Sequence, residues 1–174
     1  MSDITVNAEL GKGRAISLKG REANQALREF SQHMRKWNMV MPRVRPLVLD
    51  FGLGAFRSTG LIEQWIANEV EAGYCGKYLF VFDGQSCPMH RHRTKHETFF
   101  IVCGKVKMTC GGRTRSMGPG AVLAVAPGTI HGFTGVGPAL LLEISKPCFI
   151  DDNYFEDARI PIGGNAARKQ NGSA

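Results

Sequence analysis

Apolar side chains recur at three- and four-residue spacing along the stretch from residue 21 to residue 39. The positions in this series are Ala23, Leu27, Phe30, Met34 and Trp37. This spacing places them on one face of an amphipathic α-helix. Pro42 disfavours helical geometry in Met41, so we predict that the helix ends before this pair. Residues 1–45 are therefore predicted to form an N-terminal helical segment that packs on the body of the domain.

From residue 46 to residue 150 the pattern changes to short apolar runs separated by glycine and proline. The runs are Leu47 to Leu49, Lys77 to Phe82, Phe99 to Val102, Val106 to Thr109, Ala121 to Val125 and Leu140 to Ile144. Many short strands with turn residues between them are typical of antiparallel β-barrels. We predict an all-β fold, a jelly-roll barrel over residues 46–162. Residues 163–174 have little to bury and are predicted to form a disordered tail.

Composition places the chain among ordinary globular proteins. Its 174 residues are enough for one domain with a proper core. The net charge is +7, but the basic residues are dispersed without interleaved aromatics, so nucleic acid is not an expected partner. No apolar run approaches the length of a membrane span, and no membrane association is expected. With no early export signal, the five cysteines are expected to be reduced thiols of a cytoplasmic protein.

The segment from Gly84 to Gly104 contains two histidines and a glutamate at a spacing that would bring their side chains together. It reads glycine, five residues, His90-x-His92, four residues, Glu97, six residues, glycine. Side chains on a strand alternate between its two faces, so the two histidines are expected to point the same way. Glu97 opens the next apolar run and would lie across from the histidine pair on the same face.

A second motif supplies a fourth candidate ligand. Pro127-Gly128 makes a turn that re-aims the chain before His131. Three imidazoles and one carboxylate would then hold one divalent ion, with Mn expected and Fe, Co, Ni or Zn also suited to such ligands. The predicted metal ligands are His90, His92, Glu97 and His131, and scattered surface histidines are the alternative. Cys87 is either a further ligand or, more simply, a packed small hydrophobe.

These motifs resemble the two halves of a cupin metal site, and other segments resemble the D-lyxose ketol-isomerase family of cupins. The matching segments are Asp50 to Phe56, Tyr74 to Tyr78, Lys95 to Glu97, Leu142 to Ser145, Asp152 to Phe155 and Arg159 to Pro161. They extend over about residues 25–161, and the Asp-Phe-Gly and Lys-x-Glu segments are more specific to this group than the metal motif. The resemblance implies a cupin jelly-roll and a metal-dependent aldose–ketose isomerase. It also implies a sugar such as D-lyxose or D-mannose, a cis-enediol and, by analogy, a homodimer.

Two residues are candidates for the proton transfer that such a reaction needs. Lys95 lies two residues before Glu97, where a divalent cation would lower its pKa; the alternative is a solvated turn lysine. Glu143 is a charge inside an apolar run, and a buried carboxylate needs a partner or a task. If it faces inward with Leu141 it would be the general base; the alternative is a surface ion pair. Glu97 itself would be a third candidate if it left the metal.

The resemblance also implies residues that contact the sugar. The candidates are Lys77, Gln85, Asp152 and Arg159. Local pattern allows simpler roles, because Lys77 opens a strand and Gln85 and Asp152 have turn composition. The Asp50 segment, with its glycines, is interpreted as structural first.

Two other functions remain open at the level of sequence. A non-catalytic cupin that binds a sugar or a metal would leave Lys95 and Glu143 exposed or paired away from the site. An Fe(II) cupin oxygenase would use a similar ligand set but would give these two residues no evident role.

Overall fold

The computed structural model describes residues 8–165 of the chain. Helices α1 (Ala8–Ile16) and α2 (Gly20–Lys36) come first, and a 3₁₀ helix (Ile150–Asp152) precedes the last strand. The strands of the described range are β1 (Leu47–Leu49), β2 (Leu61–Glu69), β3 (Tyr74–Val81), β4 (Ser86–Arg91), β5 (Glu97–Cys103), β6 (Val106–Cys110), β7 (Arg113–Met117), β8 (Val122–Val125), β9 (His131–Gly135), β10 (Ala139–Ser145) and β11 (Tyr154–Phe155).

The strands form two antiparallel sheets with the core between them. The six-stranded sheet has the order β1-β2-β3-β10-β5-β8, and the five-stranded sheet has the order β11-β4-β9-β6-β7. Ile101 and Leu141 of the first sheet are buried in one cluster with Met108 of the second. The rings of Phe99 and Phe133 meet across the two sheets, with centroids 6.0 Å apart. The prediction of an all-β jelly-roll barrel is confirmed.

Helix α2 covers part of the outer face of the six-stranded sheet. Its buried face includes Phe30, whose ring packs edge-on against Phe80 at 5.2 Å between centroids. The predicted amphipathic helix is thus present, but it ends at Lys36 rather than near residue 39. Asn38 takes the left-handed conformation, with φ 53°, and Met39 N–H donates to the carbonyl of Met34. These are the features of a Schellman cap, which a sequence pattern of apolar spacing does not reveal.

Several elements were not recognisable from apolar patterning. Helix α1 buries only Glu9, Leu10 and Gly13, and an added Cβ on Gly13 would lie 2.7 Å from the Leu47 side chain. Strand β7 is exposed at four of its five positions, because it is an edge strand paired only with β6. Neither element has the alternation that marks a half-buried strand or the stripe that marks a helix. No helix in the described part of the chain is long and apolar enough to cross a membrane.

The start of the predicted tail packs on the body of the domain. Gly163, Gly164 and Asn165 are buried, and Asn165 Nδ2 donates to the carbonyl of Phe155 at 3.2 Å. An added Cβ on Gly164 would clash with the Tyr154 ring, so the glycine allows this close approach. The rest of the predicted tail, residues 166–174, lies outside the described residues.

Gly104→Ala is expected to lower the free energy of unfolding by about 2–4 kcal/mol. Gly104 has a φ of 74°, where an L-residue is strained by about 1–2 kcal/mol. The new Cβ would also clash with the carbonyl of Pro138 and lie 2.7 Å from the Cα of Ala139. Urea unfolding measures the loss. Gly112→Ala is the matched control, because its φ is 76° and its Cβ would meet nothing within 4 Å. Equal losses in the two variants would contradict the clash.

Candidate metal centre

Four buried side chains from the two sheets converge inside the barrel. His90 lies on β4 and His92 just beyond its end, while Glu97 and His131 are the first residues of β5 and β9. Because β4 and β9 are neighbours, His90 pairs directly with His131. One ligand atom from each of the four residues lies within 4.8 Å of the others. The structure thus brings together the four residues predicted as ligands.

Each of the three imidazoles is oriented by a hydrogen bond on its Nδ1. A carbonyl oxygen only accepts, so each Nδ1 carries the proton and each Nε2 keeps a free lone pair. Metal-binding histidines are typically held in this way, with the second ring nitrogen bonded to a carbonyl or carboxylate. The partners are the carbonyls of Pro88 for His90 (2.8 Å), Asp152 for His92 (3.0 Å) and Thr129 for His131 (3.0 Å).

The free lone pairs of this cluster fit a cation. The Nε2 atoms of His92 and His131 are buried, and neither has a hydrogen-bond partner among the described residues. His131 Nε2 lies only 2.6 Å from Glu97 Oε1. Burial first, and the neighbouring imidazoles next, lower the pKa of His90 well below its ordinary value. A neutral imidazole nitrogen and a carboxylate oxygen repel at such a distance unless a proton or a metal ion lies between them, and imidazole–carboxylate sets suit divalent transition metals.

Charges alternate along a row of buried side chains beside the ligands. Lys95 Nζ lies 2.8 Å from Glu97 Oε2 and 2.9 Å from Glu143 Oε1. On the far side of Glu143, Lys77 Nζ lies 3.5 Å from Glu143 Oε2 and 3.2 Å from Glu63 Oε1. Buried ions need partners of this kind, because an unpaired one costs several kcal/mol. With every group ionised the row is negative overall, which favours a cation among the neutral imidazoles.

The row sets the ionisation of Glu143 and Lys95. Burial alone would raise the pKa of Glu143, but the ammonium groups of Lys77 and Lys95 outweigh it and lower that pKa. Burial alone would lower the pKa of Lys95, but Glu143 and Glu97 outweigh it and raise that pKa. The predicted lowering of this pKa by a bound divalent cation concerns the metal-loaded site and stays a prediction. At neutral pH Glu143 is a carboxylate that can accept a proton, and Lys95 is an ammonium that can donate one.

Strand alternation places Glu143 inside the barrel. Leu141 and Glu143 are buried, whereas Ile144 is 57% exposed. Glu143 lies opposite Lys77 of β3 and opposite Phe99 of β5. Its carboxylate is therefore directed into the interior beside Leu141, rather than forming a surface ion pair.

Lys95 lies in a turn, yet its side chain is only 4% exposed. The carboxylate of Asp152 accepts hydrogen bonds from the backbone N–H groups of Arg93, Thr94 and Lys95, at 2.9 to 3.2 Å. Asp152 was a predicted sugar contact. In the structure its carboxylate holds the turn that carries Lys95, and its carbonyl orients His92.

Asp152→Ala is expected to lower the free energy of unfolding by about 2 kcal/mol, since it removes an ionised acceptor of several hydrogen bonds. It should also weaken Mn²⁺ binding by about 10-fold, because the segment that positions His92 loses its anchor. Chemical unfolding and metal titration measure the two effects. Asp157→Ala is the matched control, because Asp157 pairs with the exposed Arg159, and surface ion pairs contribute little. A variant of Asp152 as stable as that control would contradict the anchoring role.

The other predicted sugar contacts are Lys77, which lies in the charged row, and Gln85 and Arg159, which lie outside it. Gln85 is fully buried, and its amide accepts from Phe82 N–H and donates to the carbonyl of Phe56, so it fastens a turn. Arg159 is 80% exposed at its side chain and is occupied by Asp157. In the structure Gln85 thus holds a turn and Arg159 lies at the surface, and their contact with a sugar stays a prediction.

Sequence reasoning missed Glu63. This residue of β2 is held by Trp65, whose Nε1 donates to Glu63 Oε2 at 3.0 Å, and it ends the row beyond Lys77. A signal was present, because Glu63 is a charge beside the large apolar residues Leu61, Ile62 and Trp65, as Glu143 is a charge within its own apolar run.

The cavity beside the ligands is small. Its volume is about 30 Å³, and its lining includes His90, Glu97 and Glu143 together with Phe51 and Phe155. Ligand pockets usually measure about 300 Å³ or more, so side chains of the lining must shift when a ligand enters. A larger groove of about 590 Å³, beside Lys19 at the start of α2, shares no residue with this cavity.

Comparison with known proteins gives three results. The sequence matches the family described as Cupin domain over residues 80–145. It is 31% identical over 141 residues to the D-lyxose/D-mannose isomerase of Thermosediminibacter oceani, covering 65% of this chain and 77% of that protein. It is 27% identical over 175 residues to the D-lyxose ketol-isomerase of Cohnella laeviribosi, covering 82% and 94%.

A solved structure supports the fold independently of sequence. The L-ribose isomerase of Cellulomonas parahominis, solved with L-ribose, superposes with a TM-score of 0.65 over 80% of this chain and 93% of that chain. The two sequences are 15% identical over this match, so the likeness concerns the fold alone.

Proposed function

The chain belongs to the D-lyxose ketol-isomerase family of cupins, and from this membership we propose that it interconverts an aldose and a ketose by metal-dependent proton transfer through a cis-enediol. Aldose–ketose isomerisation is the activity of the family. The observation that carries the mechanism is the buried pair of Lys95 and Glu143, 2.9 Å apart and directly beside the ligand cluster. The substrate proposed is D-lyxose, D-mannose or a close relative.

His90, His92, Glu97 and His131 would hold the metal, for which we propose Mn, with Fe, Co, Ni or Zn as other candidates. A divalent ion there would act as a Lewis acid toward the carbonyl and hydroxyl oxygens at C1 and C2 of the sugar. The carbonyls behind the three Nδ1 atoms keep the rings in place and in the right tautomer.

Glu143 is the proposed general base. Its ionised carboxylate would take the proton from C2 of the aldose, and the C–H electron pair would form the C1=C2 bond; the resulting carboxyl group, which exchanges its proton with solvent, would return a proton to C1, or to C2 in the reverse direction. The O2 proton is lost and one is gained at O1 in the same exchange. Lys95 is an ammonium 2.9 Å from Glu143 Oε1. It would donate the proton gained at O1, take up the proton lost from O2, and stabilise the negative charge that develops on these oxygens.

The other two functions considered from the sequence are less well supported. A non-catalytic sugar- or metal-binding cupin was expected to leave Lys95 and Glu143 exposed or paired away from the site, whereas both are buried beside it. The reaction of a cupin oxygenase would not require the ion pair of Lys95 and Glu143. The predicted homodimer and cytoplasmic location belong to the same proposal.

The test is an exchange assay in D₂O. The full chain is stripped of metal, reloaded with Mn²⁺ and incubated with a panel of aldoses and ketoses. The expected result is deuterium at C2 of the aldose, together with ketose formation, both abolished by EDTA and restored by added Mn²⁺. Turnover that survives complete metal removal would contradict metal dependence, and no turnover of any sugar would contradict the isomerase function.

A further inference from the structure

Two small cavities lie next to each other, each of about 30 Å³. They share the side chains that line their junction, namely Phe51, Glu63, Lys77, Asn153 and Phe155. One cavity, the near cavity, reaches the metal ligands His90 and Glu97. The other, the far cavity, extends away from them towards α1 and the C-terminal segment. Together they mark a path for a chain-like substrate that starts at the ligands.

The near cavity and the junction are polar on one side. Beyond the ligands, Lys95 and Glu143 line the near cavity, and Glu63 and Lys77 line the junction. Sugar hydroxyl groups along this part of the path would meet charged donors and acceptors. The reacting carbons belong at the ligands and Glu143, so the middle carbons of the sugar would pass Lys77 and Glu63.

The part of the far cavity beyond the junction is lined mainly by apolar side chains. Apart from the junction residues, its lining consists of Ile16, Leu49, Cys148, Ile150, Ile162 and Gly163. Burial raises the pKa of the Cys148 thiol, which keeps it a protonated, small and nearly apolar group. The Cys148 sulfur also already faces Lys77 Nζ at 3.7 Å. Among the residues peculiar to this cavity, no side chain is suited to receive a hydroxyl group.

We propose that this apolar far cavity selects sugars whose terminal carbon bears no hydroxyl group, so that the preferred hexose substrates are 6-deoxyaldoses. The inference rests on the proposed isomerase function and specifies its substrate class. A methyl group at C6 would be buried against Ile150 and Ile162. A hydroxymethyl group would bury its hydroxyl where the polar side chains of the lining, Glu63, Lys77 and Asn153, already hold other partners. Apolar pockets penalise such burial by about 10- to 100-fold in kcat/KM.

The experiment compares kcat/KM of the Mn²⁺-loaded full chain for 6-deoxy-D-mannose and D-mannose, with D-lyxose as the reference aldose. We expect the 6-deoxy sugar to be favoured by about 10-fold or more. A ratio at or below one while D-lyxose is isomerised would overturn this inference and leave the proposed function standing. No turnover of any of the three sugars would overturn both.

Ile162→Thr tests the assignment to the far cavity, because it places a hydroxyl where C6 would lie. Its ratio of the two kcat/KM values should fall towards one, by about 3-fold or more. Ile144→Thr is the matched control, since Ile144 is exposed on the outer face of the six-stranded sheet and should keep the wild-type ratio. An unchanged ratio in a folded Ile162→Thr protein would overturn the assignment. If that variant does not fold, the wild-type ratio still decides the inference.

Discussion

Replacing His131 by alanine is expected to weaken Mn²⁺ binding by about 100-fold or more and to abolish isomerisation. Loss of a residue that only supports a ligand already costs about 10- to 100-fold in metal affinity, so loss of a ligand should cost at least as much. His131 is fully buried, and its Nε2 lies 2.6 Å from Glu97 Oε1, at the point where an ion would be shared. Metal content after dialysis and calorimetric titration with Mn²⁺ measure the effect independently of activity.

His96→Ala is the matched control for that variant. His96 is exposed, adjoins Glu97 in sequence and is absent from the cluster of potential ligands. It should bind Mn²⁺ like the wild type. Far-ultraviolet circular dichroism checks that both variants are folded. A folded His131→Ala protein with wild-type Mn²⁺ affinity would show that this cluster is not the metal centre.

The convergence of His90, His92, Glu97 and His131 was predictable because its determinants are local. The spacing of His90, His92 and Glu97 follows from strand alternation and one turn. The turn before His131 is indicated by the sequence Pro127-Gly128. Glu143 was likewise predictable, since a charge in an apolar strand either faces inward with a partner or marks a strand edge. The structure gives it two partners, Lys77 and Lys95.

The surroundings of Lys95 were not predictable, because they depend on contacts between distant parts of the chain. Its turn is fastened by Asp152, 57 positions away, and no local pattern encodes that contact. The same holds for Asp152, which the family resemblance proposed as a sugar contact. Its local composition indicates a turn, and only the fold shows which backbone N–H groups its carboxylate accepts. Helix α1, with only three buried residues, also gains its place through tertiary packing rather than periodicity.

Replacing Glu143 by glutamine is expected to lower kcat by about 10²- to 10⁴-fold with little change in KM, and to abolish deuterium exchange at C2. Glutamine keeps the shape of glutamate and can still accept from Lys95, but it cannot take a proton from carbon. Because Glu143 is buried between two lysines, the substitution also removes their shared counter-charge. Some loss of stability is therefore expected as well.

Three comparisons separate loss of the base from collapse of the charged row. Mn²⁺ affinity of Glu143→Gln should stay within about 10-fold of the wild type, because none of the four ligands is altered. Glu143→Asp restores a carboxylate one carbon farther from the substrate, and should recover part of the exchange at C2 while glutamine recovers none. Glu69→Gln on the same sheet is the matched control, since Glu69 is exposed and should keep full activity.

If Glu143→Gln retained wild-type exchange, the base would have to be sought elsewhere in the row, first at Glu97, which also contacts Lys95. If it lost metal together with activity, the role of Glu143 would be to hold the site in place rather than to move the proton.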